Sequence, residues 1–131
     1  MGKNTERIKM KLIYLFIIVL LSILFIASCY ATSAWDNFTD EQIVNAIYQA
    51  ENSVKYPYGI KSIDTKGDKE YARKICFNSV RNGRARWEKA GRPDDLITHI
   101  GLRYCPVGAD NDNGTNKFWT KNVKFFLDKL Q

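Results

Sequence analysis

The chain has 131 residues, with 20 Lys and Arg against 14 Asp and Glu and a formal net charge of +6. Without its first 34 residues it keeps 16 basic and 13 acidic residues, a net charge of +3. This moderate charge, spread over several predicted helices, argues against a nucleic-acid-binding protein and fits a mixed or polyanionic cell-wall surface better. Residues 35–131 are enough for one small domain with one hydrophobic core.

The first 34 residues have the composition of a targeting segment. A basic start, which includes Lys3 and Arg7, precedes an apolar run from Leu12 to Ser28. That run is about 17 residues long, between a signal-peptide core and a minimal membrane span. The segment predicts export of residues 35–131 across the cytoplasmic membrane, into a bacterial cell envelope or periplasm.

The apolar run ends in Ile26-Ala27-Ser28-Cys29, which resembles the bacterial lipobox. That resemblance implies acylation of Cys29 and attachment to a membrane through a lipid. Two alternatives remain open, namely cleavage by ordinary signal peptidase after Ala31 or Ala34 to give a soluble protein, and retention of the run as an uncleaved anchor.

A first helix of the domain is predicted to begin after Thr39. Thr39 and Gln42 have the spacing of a capping box, and Phe38 and Ile43 have that of a hydrophobic staple. Apolar residues then recur at helical spacing up to Glu51, before Pro57 and Gly59 prevent continuation.

Three more helices are predicted downstream. One follows Asp68 and is open to a kink at Asn82-Gly83, one opens at Pro93-Asp94-Asp95, and the last carries Trp119, Val123, Phe126 and Leu130 at spacings of four, three and four. Four helices with long loops and no convincing strand series predict an all-α, or mainly α, domain.

Two cysteines, Cys76 and Cys105, remain in the domain. In an oxidising compartment two thiols in a small domain often pair, so we expect a Cys76–Cys105 disulfide. The alternative is two buried free thiols that pack as small apolar groups.

Glu51 is the leading candidate for a chemical role. The C-terminal end of a helix disfavours an anion, and apolar Ile47 lies one turn earlier on the same face. Both effects make the carboxyl hard to ionise, as a general acid requires. Tyr56, Tyr58 and Gly59 follow at once and could contact a sugar, although a packed aromatic turn is the competing interpretation.

This order of residues resembles the lysozyme-like superfamily, in particular bacterial lytic transglycosylases and cell-wall glucosaminidases. The resemblance lies in Ala50-Glu51-Asn52-Ser53, in Tyr58-Gly59-Ile60-Lys61-Ser62-Ile63 and in the Arg103-Tyr104 end of the third helix. It implies a small lysozyme-like helical domain in which Glu51 protonates a glycosidic oxygen of peptidoglycan. It further implies a sugar cleft lined by Tyr56, Tyr58, Gly59, Ile60, Ser62 and Tyr104.

The expected partner is therefore the peptidoglycan glycan strand, bound by a monomer that uses no cofactor and no metal. A two-carboxylate glycosidase would need a second acid, for which the sequence offers Asp64, Asp68, Asp110 and Asp112 without a distinguishing motif. A single acid favours cleavage without a water nucleophile, as in lytic transglycosylases. The alternative from a different class is an envelope lipoprotein that binds the cell wall without cutting it.

Overall fold

The computed structural model describes the backbone of residues 2–28 and 32–131, and the side chains of residues 2–23 and 32–131. The chain separates into two compact units, Met1–Thr32 and Ser33–Gln131. The first unit contains helix α1, Gly2–Ser28. Within the described part of the chain, no helix combines the length and the apolar character that crossing a bilayer requires. Cys29 lies outside the described residues, so its acylation stays a prediction.

The second unit is helical. Its four α-helices are α2 (Asp40–Glu51), α3 (Lys69–Lys89), α4 (Leu96–Tyr104) and α5 (Trp119–Asp128). Short 3-10 helices lie at Ala34–Asn37, Pro57–Gly59 and Asn116–Phe118, and the described residues contain no β-strand. The prediction of a mainly α domain is confirmed.

Helix α2 begins and ends as its sequence predicts. The Thr39 hydroxyl accepts a hydrogen bond from the Gln42 backbone N–H at 3.2 Å, and the Gln42 side chain accepts one from the Thr39 N–H at 2.9 Å. This reciprocal pair satisfies two N–H groups at the helix start. At the other end Asn52 takes a left-handed conformation with φ of 40°, which stops the helix and makes Glu51 its last residue.

Helix α3 is continuous through Asn82-Gly83, where the sequence left a kink open. Gly83 is buried, and a Cβ atom there would lie 2.8 Å from Cγ1 of Ile100 in α4. The glycine therefore serves the close approach of two helices and does not break one. Helix α4 begins at the predicted Pro93-Asp94-Asp95 opening, where the Asp95 carboxylate caps it by accepting the Thr98 N–H at 3.0 Å.

Helix α5 packs against α2 and α4. Its buried residues are Trp119, Val123 and Leu127, whereas the exposed fraction of Leu130 is 53%. Phe126 is half-buried and packs against the core, as its spacing predicted, whereas Leu130 lies beyond the end of α5 and departs from the predicted pattern. Trp119 is the first residue of this helix, and its burial brings the start of α5 against the end of α2.

Arg84 of α3 fixes the entry into α2. Its Nε atom lies 2.7 Å from the Asp40 carboxylate, and its Nη2 donates to the Phe38 carbonyl at 2.6 Å. Both members of the ion pair are largely shielded from water, so the pair is screened less than a surface pair.

The predicted disulfide is not formed, because Cys76 and Cys105 are free thiols. Cys76 lies on the fully buried face of α3, where burial raises its pKa to about 12, whereas Cys105 follows α4 and is half-buried. Burial also raises the pKa of Cys105, to about 11, so both groups stay protonated at neutral pH. Cys76 therefore packs as a small apolar group, as in the alternative interpretation of the sequence, whereas Cys105 is a free thiol that is only half-buried.

Candidate active site

Glu51 lies on a cleft of about 500 Å³ in the second unit. The cleft is bordered by α2, the turn that follows α2, α3, α4 and the segment that leads into α5. Its lining includes Ala50, Glu51, Gly59, Ile60, Lys61, Ser62, Ile75, Ser79, Arg103, Tyr104, Cys105, Asn111, Thr115, Asn116, Trp119 and Asn122. Glu51 is the one carboxylate among the lining residues that the structure describes.

The Glu51 carboxyl group is partly removed from water, and this desolvation raises its pKa above the usual value. A hydrogen bond from Trp119 and the positive charge of Lys61 act in the opposite direction, but more weakly. The protonated carboxyl therefore persists to higher pH than in an exposed Glu. This is the direction that the sequence predicted, with burial as its largest cause.

Trp119 holds one oxygen of that carboxyl. Its indole Nε1–H donates to Oε1 of Glu51 at 3.0 Å, and the exposed fraction of Trp119 is only 5%. A buried indole N–H needs an acceptor, and it can only donate. Oε1 is thus engaged as an acceptor, so we expect the proton of the neutral carboxyl on Oε2.

Gly59 packs directly against the same carboxyl group. Its φ is +68°, and a Cβ atom built on it would lie 2.4 Å from both Cδ and Oε2 of Glu51. Only glycine provides that space and adopts that backbone conformation without strain. Tyr104 supports this turn, because its hydroxyl donates to the Tyr58 carbonyl at 2.6 Å.

The cleft brings together four of the six residues predicted to contact sugar. Gly59, Ile60, Ser62 and Tyr104 line it together with Glu51.

Neither Tyr56 nor Tyr58 lines the cleft, contrary to the prediction. Tyr58 has a φ of 60°, its ring is buried, and it packs against Tyr48 with 5.0 Å between ring centroids. The Tyr58 ring therefore packs in the core, as the competing interpretation held. The Tyr58 backbone carbonyl accepts the hydrogen bond from the Tyr104 hydroxyl. Tyr56 is 36% exposed, and the Lys55 ammonium lies 5.1 Å from the centroid of its ring.

None of the four acids considered as a second catalytic carboxylate lines the cleft; they are Asp64, Asp68, Asp110 and Asp112. The Asp64 and Asp68 carboxylates accept backbone N–H groups of Lys66 and Tyr71, at 2.9 and 3.0 Å, and so shape a turn and the start of α3. These hydrogen bonds give Asp64 and Asp68 a local structural role.

Asp112 organises the loop that forms one wall. Its carboxylate accepts the backbone N–H groups of Gly108, Gly114 and Asn116 at 2.8, 2.8 and 3.1 Å. These hydrogen bonds hold its pKa below the usual range. Asn111 and Asn116 of this loop line the cleft, and the Asn116 side-chain amide donates to the Pro106 carbonyl at 2.8 Å. The described residues include no group of His, Cys, Asp and Glu that could hold a metal ion.

Sequence reasoning missed Trp119 as a functional residue and assigned it to the core. Trp119 is buried, but the hydrogen bond from its indole N–H to Glu51 joins residues that are 68 positions apart. Nothing local marks this pairing; the only usable signal is that a buried Trp generally requires an acceptor. Arg103 and Asn122 were likewise not predicted as cleft residues, because a helix-end Arg and a polar helix position are usually solvated.

Comparison of this chain with protein-family models, with curated proteins and with solved structures gave no match.

Replacing Trp119 with Phe is expected to raise the pKa of Glu51 further, because the hydrogen bond that favours the carboxylate is lost. For any activity that requires protonated Glu51, the alkaline limb of the pH–rate profile should therefore shift to higher pH. The rate itself should fall about 3-fold to 10-fold, because the carboxyl is positioned less well. The measurement is a pH–rate profile. Trp87→Phe is the matched control, because it also removes a hydrogen bond donated by an indole N–H. That bond joins Trp87 to the Asp94 carbonyl at 2.7 Å and lies outside the cleft lining. An unmoved limb in Trp119→Phe would contradict the assignment.

Proposed function

We propose that this protein cleaves glycosidic bonds in peptidoglycan, with Glu51 as the general acid. The observation that carries the proposal is a carboxyl group whose pKa is raised by burial and whose Oε1 is held by Trp119 in an open cleft. A general acid must be protonated at the working pH and lie within reach of the leaving oxygen. The resemblance of residues 50–53 and 58–63 to lysozyme-like enzymes supports amino-sugar strands as the substrate.

We further propose that the reaction is of the lytic transglycosylase type. Hydrolysis by a pair of carboxylates needs the second one about 5–10 Å from the first, across the scissile bond. Glu51 has no such partner among the described lining residues, which favours a nucleophile supplied by the substrate. Oε2–H of Glu51 protonates the glycosidic oxygen as its bond to C1 breaks. The C6 hydroxyl of the same sugar then bonds to C1, and its proton returns to Glu51.

Digestion of purified sacculi by the 131-residue chain tests this proposal. Products are identified by mass, and we expect anhydro-muropeptides, which contain one water fewer than hydrolysed fragments. Reducing ends on glucosamine would instead indicate a glucosaminidase that activates water. Absence of any released fragment would contradict the enzyme assignment.

A non-catalytic cell-wall-binding protein is the second candidate. It is favoured by the position of Glu51 between Trp119 and Gly59, since a carboxyl that satisfies a buried indole can be a structural group. In that case the chain should sediment with sacculi and release nothing. The Glu51→Gln substitution should then leave sedimentation unchanged.

For the cellular location, we propose export and attachment to a membrane through acylated Cys29. Metabolic labelling with a fatty-acid probe should mark the native chain and miss Cys29→Ser. Equal labelling of both, or a mature N-terminus mapped at Trp35, would contradict lipid attachment.

A further inference from the structure

Two cations line the cleft with Glu51, namely Lys61 and Arg103. Lys61 follows the Gly59-Ile60 turn, and Arg103 lies in the last turn of α4. Both side chains are exposed, and neither forms an ion pair with any described residue of the protein. The ammonium of Lys61 is close enough to Glu51 to act on its carboxyl through its charge.

No acidic group in the described lining balances these two charges. The cleft contains one carboxyl group, Glu51, whose burial favours its neutral form, and otherwise uncharged side chains. Asp110 and Asp112 are the acids of the adjacent loop; neither lines the cleft, and the Asp112 carboxylate accepts three backbone N–H groups of its own loop. The working form of the site, with Glu51 protonated, therefore has a charge of about +2, and a concave site focuses that positive potential on its contents.

From this charge distribution we propose that the cleft selects a glycan that carries carboxylates, and that Lys61 and Arg103 bind those carboxylates. This inference rests on the proposed function and deepens it, because it names Lys61 and Arg103 as the residues that distinguish carboxylate-bearing peptidoglycan strands from uncharged amino-sugar polymers. An uncharged N-acetylglucosamine polymer offers nothing to either cation. A muramic acid strand offers a lactyl carboxylate where the peptide is absent and stem-peptide carboxylates where it is present. An Arg guanidinium matches a carboxylate in a two-point geometry, which gives it directional selectivity beyond its charge.

The roles of the cations differ from that of Glu51. They are specificity-determining residues, because a carboxylate on a side branch of the substrate does not take part in bond cleavage. Their loss should weaken binding of the anionic strand and raise KM, with little change in kcat. Surface ion pairs contribute modestly, so each cation is expected to change affinity about 5-fold and the pair about 25-fold.

Isothermal titration calorimetry on the 131-residue chain carrying Glu51→Gln tests the inference without turnover. The three ligands are a neutral N-acetylglucosamine oligomer, a peptide-free muramic acid strand and a peptide-bearing strand of equal length. We expect the carboxylate-bearing strands to bind more tightly, and added salt to weaken only their binding. Lys61→Met and Arg103→Met should each remove part of that preference, and Lys61→Arg should retain it. Lys74→Met is the matched control, because Lys74 is an exposed α3 residue outside the cleft lining.

Loss of affinity for the peptide-free strand alone would assign the lactyl carboxylate, and loss for the peptide-bearing strand alone would assign the stem carboxylates. Loss for both strands would show that the cations accept either carboxylate, and each of these outcomes supports the inference. Equal affinity for the neutral oligomer, no binding of either anionic strand, or equal losses on all three ligands would overturn it. The proposed function fails separately. If the chain prefers anionic strands but releases nothing from sacculi, this inference stands and the enzyme assignment fails. If the chain cleaves sacculi without preferring anionic strands, the enzyme assignment stands and this inference fails.

Discussion

Replacing Glu51 with Gln is expected to lower the release of wall fragments at least about 100-fold, because the amide has no proton to transfer to the leaving oxygen. The amide oxygen can still accept the Trp119 N–H, so fold and sacculus binding should remain close to native. Fragment release from sacculi is quantified by mass, and circular dichroism checks the fold. Glu88→Gln, an exposed α3 residue outside the cleft lining, is the matched control and should keep full activity.

The same substitution has an expected effect on stability, which follows from linkage. Burial raises the pKa of Glu51 in the folded state, so the folded chain binds more protons than the unfolded chain between the ordinary pKa of 4.5 and the folded pKa. The free energy of unfolding therefore falls as pH rises through that window. Glu51→Gln removes this loss, so its melting temperature should exceed that of the native chain at pH 7 and match it more closely at pH 4. A lower melting temperature for Glu51→Gln at pH 7 would contradict the desolvated position of the carboxyl.

Substituting Gly59 with Ala is expected to be as damaging as removing the acid itself. The added Cβ would lie 2.4 Å from Cδ and Oε2 of Glu51, so either the carboxyl or the turn must move. A displacement of about 1 Å from the productive geometry can cost roughly 100-fold in rate. We therefore expect a loss of activity of about that size, measured as fragment release.

The matched control for this prediction is Gly67→Ala. Gly67 has a φ of +74°, close to that of Gly59, but a Cβ atom there would contact nothing within 4 Å. Both substitutions therefore carry a similar left-handed backbone penalty of about 1 kcal/mol, measurable by denaturant unfolding. Only Gly59→Ala should lose activity. Equal activities in the two variants would show that Gly59 does not position the carboxyl.

Local features of the fold could be predicted because they depend on neighbours in sequence. The capping box at Thr39, the cap at Asp68 and the end of α2 at Glu51 each involve residues within about one turn of each other. Periodic apolar residues likewise place the helices. The raised pKa of Glu51 could be anticipated in direction, since a helix end and a nearby apolar face both disfavour its anion.

The sequence did not predict where side chains point once the chain packs. Tyr58 was predicted to contact sugar, because it is an aromatic residue next to a glycine and close to Glu51. In the structure its φ is left-handed and its ring is buried against Tyr48. Cys76 and Cys105 have the pattern expected of a disulfide in an exported domain, yet one thiol packs in the core and the other borders the cleft. Such outcomes depend on contacts between helices, for which local propensity carries no information.

By itself, the sequence determined a helical domain and one carboxyl group at an unfavourable helix end, while the targeting segment before the domain stays a prediction. Only the tertiary structure decided that Trp119 binds Glu51 from 68 residues away, that Gly59 packs against the same carboxyl, and that no described carboxylate shares the cleft. The physical reason is the range of the interactions. Capping and periodicity act over three or four residues, whereas a buried indole finds its acceptor only after α5 packs against α2.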